Sequence, residues 1–172
     1  MKQRAPRNRT LDCTEEEIEL LGKRLLELSS PVELAQVVDT IINQDVFTAA
    51  PCLPSDFANL LILDPPYNLS KDFNRHVFKE RDGAEYRRWF RDVLEMLIPA
   101  LAGNASVYVC ADWKTSGIIQ PILEDLFNVR NRITWERDKG RGAKKNWKNN
   151  TEDIWYCTRG DDYTFNIDAV KL

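Results

Sequence analysis

The sequence predicts an α/β fold in which helices flank a mostly parallel sheet. The main reason is that short apolar runs, with the length of buried strands, alternate with segments whose apolar residues recur at helical spacing. The second reason is size, because 172 residues with 43% hydrophobic content can bury one core of ordinary extent.

The amino-terminal part of the chain predicts helices. Residues 14–28 predict an amphipathic helix, since Thr14 and Glu17 have the spacing of a capping box. One face of this helix would carry the apolar residues Ile18, Leu21, Leu25 and Leu28. Pro31 predicts the start of a shorter helix that extends through Val38.

Strands and helices alternate along the rest of the chain. In order, we predict a strand over 40–47 that ends in an acid, a strand over Leu60–Leu63, a helix over 85–98, a strand over 106–111, a helix over 115–126, and strands near 129–136 and 153–158. Helical spacing across 85–98 places one apolar stripe in the core: Tyr86, Trp89, Phe90, Val93, Leu94, Leu97 and Ile98. Pro99 and Gly103 are expected to end this helix.

Four residues that follow one predicted strand indicate the functional site. Asp64-Pro65-Pro66-Tyr67 come directly after Leu60–Leu63, and the two prolines stop the strand because they lack an N–H and fix the backbone. A carboxylate, a carbonyl between two prolines and an aromatic ring then lie at the carboxyl end of a strand, where open α/β sheets bind ligands. An Asp-Pro-Pro turn with a packing tyrosine is the alternative interpretation.

A basic segment indicates contact with nucleic acid. The net charge is −3, which argues against a uniformly basic binder, so any such contact depends on local patches. Residues 139–150 contain five cations, two glycines, one tryptophan and no acids. The candidate contacts with DNA are Lys139, Arg141, Lys144, Lys145, Trp147 and Lys148. A solvated, flexible loop is the alternative interpretation.

Other classes of protein are disfavoured by the composition. No apolar stretch approaches the roughly 20 residues that span a bilayer, and the basic amino terminus lacks the apolar segment of a secretory signal. Four dispersed cysteines with a single histidine do not favour a zinc site. We therefore expect a cytoplasmic protein with reduced, mostly buried thiols and no metal.

These features resemble the β class of amino-group DNA methyltransferases, which methylate adenine N6 or cytosine N4 from S-adenosylmethionine. The resemblance extends over residues 40–168 and includes the Asp-Pro-Pro-Tyr motif, the aromatic helix and the segment 149–155, which is similar to a motif that helps to hold the target base. It implies a partial class I, Rossmann-like methyltransferase domain over 40–172, preceded by a helical segment over 1–39.

The resemblance also implies roles for the motif residues Asp64, Pro65, Pro66 and Tyr67. The Asp64 carboxylate and the Pro65 carbonyl would accept the N–H groups of the target amine, so that its lone pair points at the sulfonium methyl group. Tyr67 would stack on a base rotated out of the duplex. The implied cofactor site consists of Asp45, Val46, Asp64 and Pro65.

The family's glycine-rich cofactor loop and target-recognition region are expected after residue 168. The single G-x-G in the sequence, Gly140-Arg141-Gly142, lies among cations and does not follow an apolar strand. We therefore expect a catalytic half that acts on double-stranded DNA and needs a second polypeptide, which carries the loop and the recognition domain, or self-association. Adenine N6 is the expected target, because the cytosine-N4 enzymes more often have serine at the position of Asp64.

Three alternatives stay open from the sequence. The chain could be a truncated enzyme, or a catalytically inactive DNA-binding or assembly module that keeps the fold. Methylation of RNA or of a protein glutamine is the third alternative, although the protein-glutamine enzymes usually have asparagine at the first motif position.

Overall fold

The computed structural model describes residues 12–73, 76–141, 145 and 147–171, with the backbone alone for 71–73, 76–78 and 139–141. The chain divides into two compact units, Met1–Leu53 and Pro54–Leu172. Among the helices within the described ranges, none is long and apolar enough to cross a membrane.

The first unit contains short elements. They are α1 (Glu15–Gly22), β1 (Leu25–Leu26), α2 (Leu34–Val37), β2 (Ile41–Ile42), α3 (Val46–Ala49) and a 3₁₀ turn over Ala50–Cys52. The predicted capping box is confirmed, because the Thr14 side chain accepts from the Glu17 N–H and the Glu17 carboxylate accepts from the Thr14 N–H. The strands β1 and β2 pair in parallel, with Leu25 opposite Ile41.

Two predictions for the first unit are wrong in extent. The helix predicted over 14–28 ends at Gly22, a poor helix former, and Leu25 pairs with β2 in place of continuing the helix. The strand predicted over 40–47 is limited to β2, because Asp45 caps the amino terminus of α3. The shorter helix that was expected from Pro31 is α2, which starts at Leu34.

The second unit contains the sheet. Its elements are β3 (Ala58–Leu63), β4 (Lys71–Phe73), β5 (His76–Phe78), α4 (Gly83–Leu97), a 3₁₀ turn over Ile98–Ala100, β6 (Leu101–Ala111), α5 (Trp113–Leu126), β7 (Asn128–Arg141), β8 (Asn149–Thr158) and a 3₁₀ turn over Ile167–Ala169. The four-stranded sheet has the order β3-β6-β8-β7, and β4 pairs with β5 in a separate hairpin.

The α/β fold class is confirmed, and the sheet is mixed. The strands β3 and β6 are parallel because α4 crosses over between them, with Leu61 opposite Val107. The strands β7 and β8 are joined by a short connection, which permits only antiparallel pairing, and β8 also runs antiparallel to β6. Consequently β8 begins at the same end of the sheet where β3 and β6 finish, which we call the motif end.

The core lies between one face of this sheet and the helices α4 and α5. The predicted aromatic stripe is confirmed as core, since α4 buries Tyr86, Phe90, Val93 and Leu94. From β6 and β8, the same cluster includes Val107, Val109, Trp155 and Cys157. Gly103 does not end the helix as expected, because the 3₁₀ turn that contains Pro99 leads directly into β6 and Gly103 lies within that strand.

Candidate active site

The Asp-Pro-Pro-Tyr segment lies at the motif end, directly after β3. Leu63 is the last residue of β3 to pair with β6, and the two prolines that follow Asp64 cannot donate to a ladder. Asp64 is exposed, Pro65 is buried, and Pro66 and Tyr67 are half-buried. The predicted motif therefore combines an accessible carboxylate with an anchored backbone.

The Tyr67 phenol lies close enough to the Asp64 carboxylate for the two groups to interact electrostatically. Burial, followed by the charge of Asp64, raises the pKa of Tyr67 above that of an ordinary phenol. The phenol therefore keeps its proton at neutral pH. An incoming amine would meet an exposed carboxylate beside a neutral phenol.

Two further side chains lie close enough to affect the motif electrostatically. Glu152 on β8 and Cys110 on β6 both contribute to the raised pKa of Tyr67. Burial, followed by Asp64 and Glu152, raises the pKa of Cys110, so this thiol stays protonated at neutral pH. Sequence reasoning missed Cys110, although its alternation with buried Val109 in a strand could have placed it on the face of the sheet opposite the core.

Glu152 is held by an ion pair. Its Oε1 lies 2.5 Å from Nη1 of Arg137 on β7, and the two side chains are only 17% and 22% exposed. Such a shielded pair keeps both charges in fixed positions more effectively than a surface pair would. A second carboxylate is therefore fixed near Asp64 and Tyr67, and Arg137 was not predicted from the sequence.

The basic segment forms the connection between β7 and β8 and lies at the motif end. The last pair between β6 and β8 is Ala111 with Asp153, so β8 from Asn149 to Glu152 extends beyond β6. Lys145, Trp147 and Lys148 are exposed, and Trp147 is 96% accessible. Lys139 and Arg141 belong to β7 with side chains that are not described, and Lys144 lies outside the described residues.

The start of α5 adds a tryptophan and a lysine at this end of the sheet. Trp113 is exposed, and Nζ of Lys114 lies 5.8 Å from the centre of its ring. The sequence predicts a helix that begins at residue 115, whereas the helix begins two residues earlier, at Trp113, with Asp112 as its cap. Sequence reasoning therefore missed this aromatic and cationic pair.

The other predicted cofactor residues belong to the first unit. The Asp45 carboxylate accepts from the N–H of Phe47 at 2.8 Å and remains exposed, while Val46 is half-buried. This capping bond does not exclude further bonds, because a carboxylate accepts up to about four. Contact of Asp45 and Val46 with a cofactor stays a prediction.

The strand that precedes the motif has an exposed apolar surface. Among the described residues β3 is an outer strand of the sheet, and Leu60 and Ile62 are 56% and 68% exposed. A cleft of about 330 Å³ lies beside it, and its lining consists of Asn59, Leu60, Asn104, Ser106, Tyr108 and Thr164.

Comparison with known proteins identifies a family and individual proteins to which this chain is similar. Residues 58–172 match the N6/N4 methyltransferase family that is described as DNA methylase. The DNA adenine methyltransferase YhdJ of Escherichia coli (strain K12) is 27% identical over 144 residues, which are 83% of this chain and 49% of that protein. The chain thus spans about half the length of such a relative.

Solved structures show the same fold. The cytosine-N4-specific PvuII DNA methyltransferase matches with a TM-score of 0.62 at 13% identity, over 76% of this chain and 52% of its own. TTHA0409 from Thermus thermophilus, in complex with S-adenosyl-L-methionine, matches with a TM-score of 0.54 at 14% identity, over 73% of this chain and 55% of its own.

Proposed function

The chain belongs to the N6/N4 DNA methylase family, and on that premise we propose that it is the catalytic half of an enzyme that methylates adenine N6 in double-stranded DNA. The observation that carries the proposal is the Asp64–Tyr67 segment at the motif end of the sheet, with an exposed Asp64 carboxylate, a buried Pro65 and the Tyr67 ring beside them. S-adenosylmethionine is the methyl donor of this family.

The chemistry needs the residue types that this segment contains. An exocyclic amine is a weak nucleophile because its lone pair is delocalised into the base. Asp64 and the Pro65 carbonyl would accept its two N–H groups and so localise the lone pair on nitrogen, while Pro66 keeps the segment from re-entering the sheet. Tyr67 would stack on the flipped base. Catalysis of this kind depends on position and electrostatics.

This chain would contribute some of the residues that bind the cofactor. We propose that Asp45 and Val46 contact the adenosine part of S-adenosylmethionine, because an exposed carboxylate next to an apolar side chain suits a ribose and a purine. Asp64 and Pro65 are the other proposed contacts of the cofactor. Among the glycines that the structure describes, none has the positive φ that glycine-rich cofactor loops commonly use. The bound group would supply the methyl, and the rest of its site would come from another segment.

A second segment would complete the sheet beside β3. The exposed apolar side chains Leu60 and Ile62 and the cleft beside them support this, because a long apolar outer strand invites strand addition. We propose that a polypeptide with the glycine-rich loop and the recognition domain occupies this surface, and that self-association is the weaker possibility. The chain alone should then bind S-adenosylmethionine weakly, so micromolar affinity in calorimetry would contradict the need for a partner.

Adenine is the proposed base because the first motif residue is an aspartate. The resemblance to the family implies this choice, because its cytosine-N4 members more often have serine at the position of Asp64. YhdJ, which is an adenine methyltransferase, is among the similar proteins. Analysis of the methylated nucleosides separates the two products, and N4-methylcytosine as the product would refute this choice.

The test of catalysis uses the complete enzyme that contains this chain and measures transfer of labelled methyl groups to unmethylated DNA. Asp64→Ala should lower the rate by about 100-fold or more, with DNA affinity nearly unchanged, because the carboxylate acts on the reacting nitrogen. Asp162→Ala removes an exposed aspartate outside the motif and should leave the rate unchanged. Near-normal turnover of the complete enzyme with Asp64→Ala would mean that this chain supplies no catalytic group. It would then favour the alternative that the chain is a DNA-binding or assembly module that only retains the fold.

A further inference from the structure

The backbone of the motif is bonded to a buried tyrosine in the core. The Tyr86 hydroxyl donates to the Pro66 carbonyl at 3.1 Å, and Tyr86 itself is 0% exposed on α4. Since neither Pro65 nor Pro66 has an N–H, carbonyl oxygens are the only backbone groups by which this dipeptide can be held. Tyr86 holds one of them from a rigid element.

Asn68 holds the other side of Tyr67. Its Nδ2 donates to the Arg81 carbonyl at 2.7 Å, and its Oδ1 accepts from the Arg81 N–H at 2.8 Å. The side-chain amide thus pairs with both backbone groups of one residue, as a neighbouring strand would. The Glu80 N–H also donates to Oγ of Ser70 at 3.1 Å, and together with the bonds of Asn68 it closes the base of the loop between Asn68 and Arg81.

The two anchors are linked through aromatic contacts. The Arg81 guanidinium lies 5.1 Å from the centre of the Trp89 ring, and the Trp89 and Tyr86 rings lie 5.4 Å apart. Contacts therefore run from Pro66 to Tyr86, to Trp89, to Arg81 and back to Asn68. We call Asn68, Arg81, Tyr86 and Trp89 the motif bracket.

We propose that the motif bracket positions Asp64 and Tyr67 for methyl transfer, and that Asn68 and Tyr86 are positioning residues of the reaction. Tyr67 lies between two anchored residues, so displacement of its backbone is restrained on both sides. A displacement of about 1 Å in a reacting group can lower a rate about 100-fold, which makes such anchoring consequential. The catalytic part of this inference rests on the proposed function, whereas the bracket itself does not.

Amide hydrogen exchange tests the bracket without any need for activity. Asn68→Ala should speed exchange of the Arg81 amide by about five- to tenfold, because that N–H loses its acceptor. Tyr86→Phe keeps the buried ring and should speed exchange of the Leu69 amide, which is bonded to the Tyr67 carbonyl. The matched control Tyr163→Phe removes a hydroxyl from the carboxyl-terminal segment and should change neither amide. Unchanged exchange in both bracket variants would overturn the proposal.

Kinetics of the complete enzyme test the positioning role. Tyr86→Phe and Asn68→Ala should lower kcat at least tenfold and leave KM for S-adenosylmethionine within about twofold. Because partial unfolding would also lower the apparent kcat at unchanged KM, kcat is expressed per mole of folded enzyme, with the folded fraction of each variant taken from urea unfolding. Asn68→Asp retains the acceptor for the Arg81 N–H and should recover part of kcat. Faster exchange with normal kcat would overturn the positioning role. If the unaltered enzyme transferred no methyl group, the proposed function would fail, and the exchange result alone would uphold or overturn the bracket.

Discussion

Replacement of Lys145 and Lys148 by alanine should weaken DNA binding equally for all sequences. Both lysines are exposed in the β7–β8 connection, beyond the last pairing of β8 with β6. The four residues of β8 that extend past this pairing project the connection by about 14 Å at roughly 3.4 Å per residue. This reach brings the lysines to the backbone of a duplex at the motif end, where they would contact phosphates without reading bases.

The size of the effect follows from the number of contacts. Each lost phosphate contact lowers the slope of log affinity against log salt by about 0.9, so the double variant should lose about 1.8. Between 50 and 200 mM salt, the unaltered protein should therefore lose about 12-fold more affinity than the variant. Trp147→Ala should weaken binding with the slope unchanged, because stacking on a base releases no counterions.

Fluorescence anisotropy with short duplexes of unrelated sequence, at several salt concentrations, measures both quantities. The matched control replaces Lys23 and Lys171, two exposed lysines that pair with Glu19 and Asp168. It removes the same net charge and should leave the slope nearly unchanged. An unaltered slope in the variant with Lys145 and Lys148 replaced, or an equal change in the control, would show that the connection is only a solvated loop.

Two further predictions concern stability. Gly160→Ala should destabilise the fold by about 1–3 kcal/mol in urea unfolding, because the new Cβ would lie 2.9 Å from the Gly103 carbonyl oxygen. Its control, Gly117→Ala, has open space in α5 and should stabilise the fold by about 0.5–1 kcal/mol. Equal effects of the two substitutions on the free energy of unfolding would contradict this prediction. Burial raises the pKa of the Cys157 thiol from 9.0 to about 12. Its contribution to the free energy of unfolding is therefore complete below about pH 9 and is lost as the pH rises towards 12, because only the unfolded chain ionises in that range. From neutral pH to pH 10, the free energy of unfolding should fall by about 1.4 kcal/mol more than that of a Cys157→Ala variant.

The second unit could be predicted from the sequence because its signals are strong and local. The strand before Asp64 ends where two prolines remove ladder donors, and α4 carries a long apolar stripe at helical spacing. In the first unit the same rules failed, since Leu25 fits both the face of a helix and a strand paired with Ile41. Tertiary pairing decided between them, which a pattern within one segment does not encode.

The candidate site was predictable only as separate pieces. Asp64 to Tyr67 and the basic connection were each visible as short patterns, but their common location follows from the antiparallel pairing of β8 with β6. Cys110 and Arg137 have no local signal of function, because their roles depend on which strands become neighbours. The bond from Tyr86 to Pro66 was equally hidden, since Tyr86 fits the core stripe by its spacing alone.

At the motif end, the cationic connection between β7 and β8 favours DNA phosphates, whereas the region around Asp64 favours a neutral base. The connection that carries Lys145 and Lys148 belongs to a run of five cations without acids, in a chain whose net charge is −3. Closer to the sheet, the exposed Asp64 carboxylate repels a phosphate but accepts bonds from the N–H groups of a neutral base, and Glu152, which is paired with Arg137, keeps this region from carrying a net positive charge. A duplex bound at the connection would therefore keep its phosphates near Lys145 and Lys148, away from Asp64. A base rotated out of the duplex could then bind near Asp64 and Tyr67. Reversal of the charge at Glu152, as in Glu152→Lys, should consequently strengthen non-specific DNA binding while it slows methyl transfer, and a variant that improved both would show that the acidic interior does not select the base.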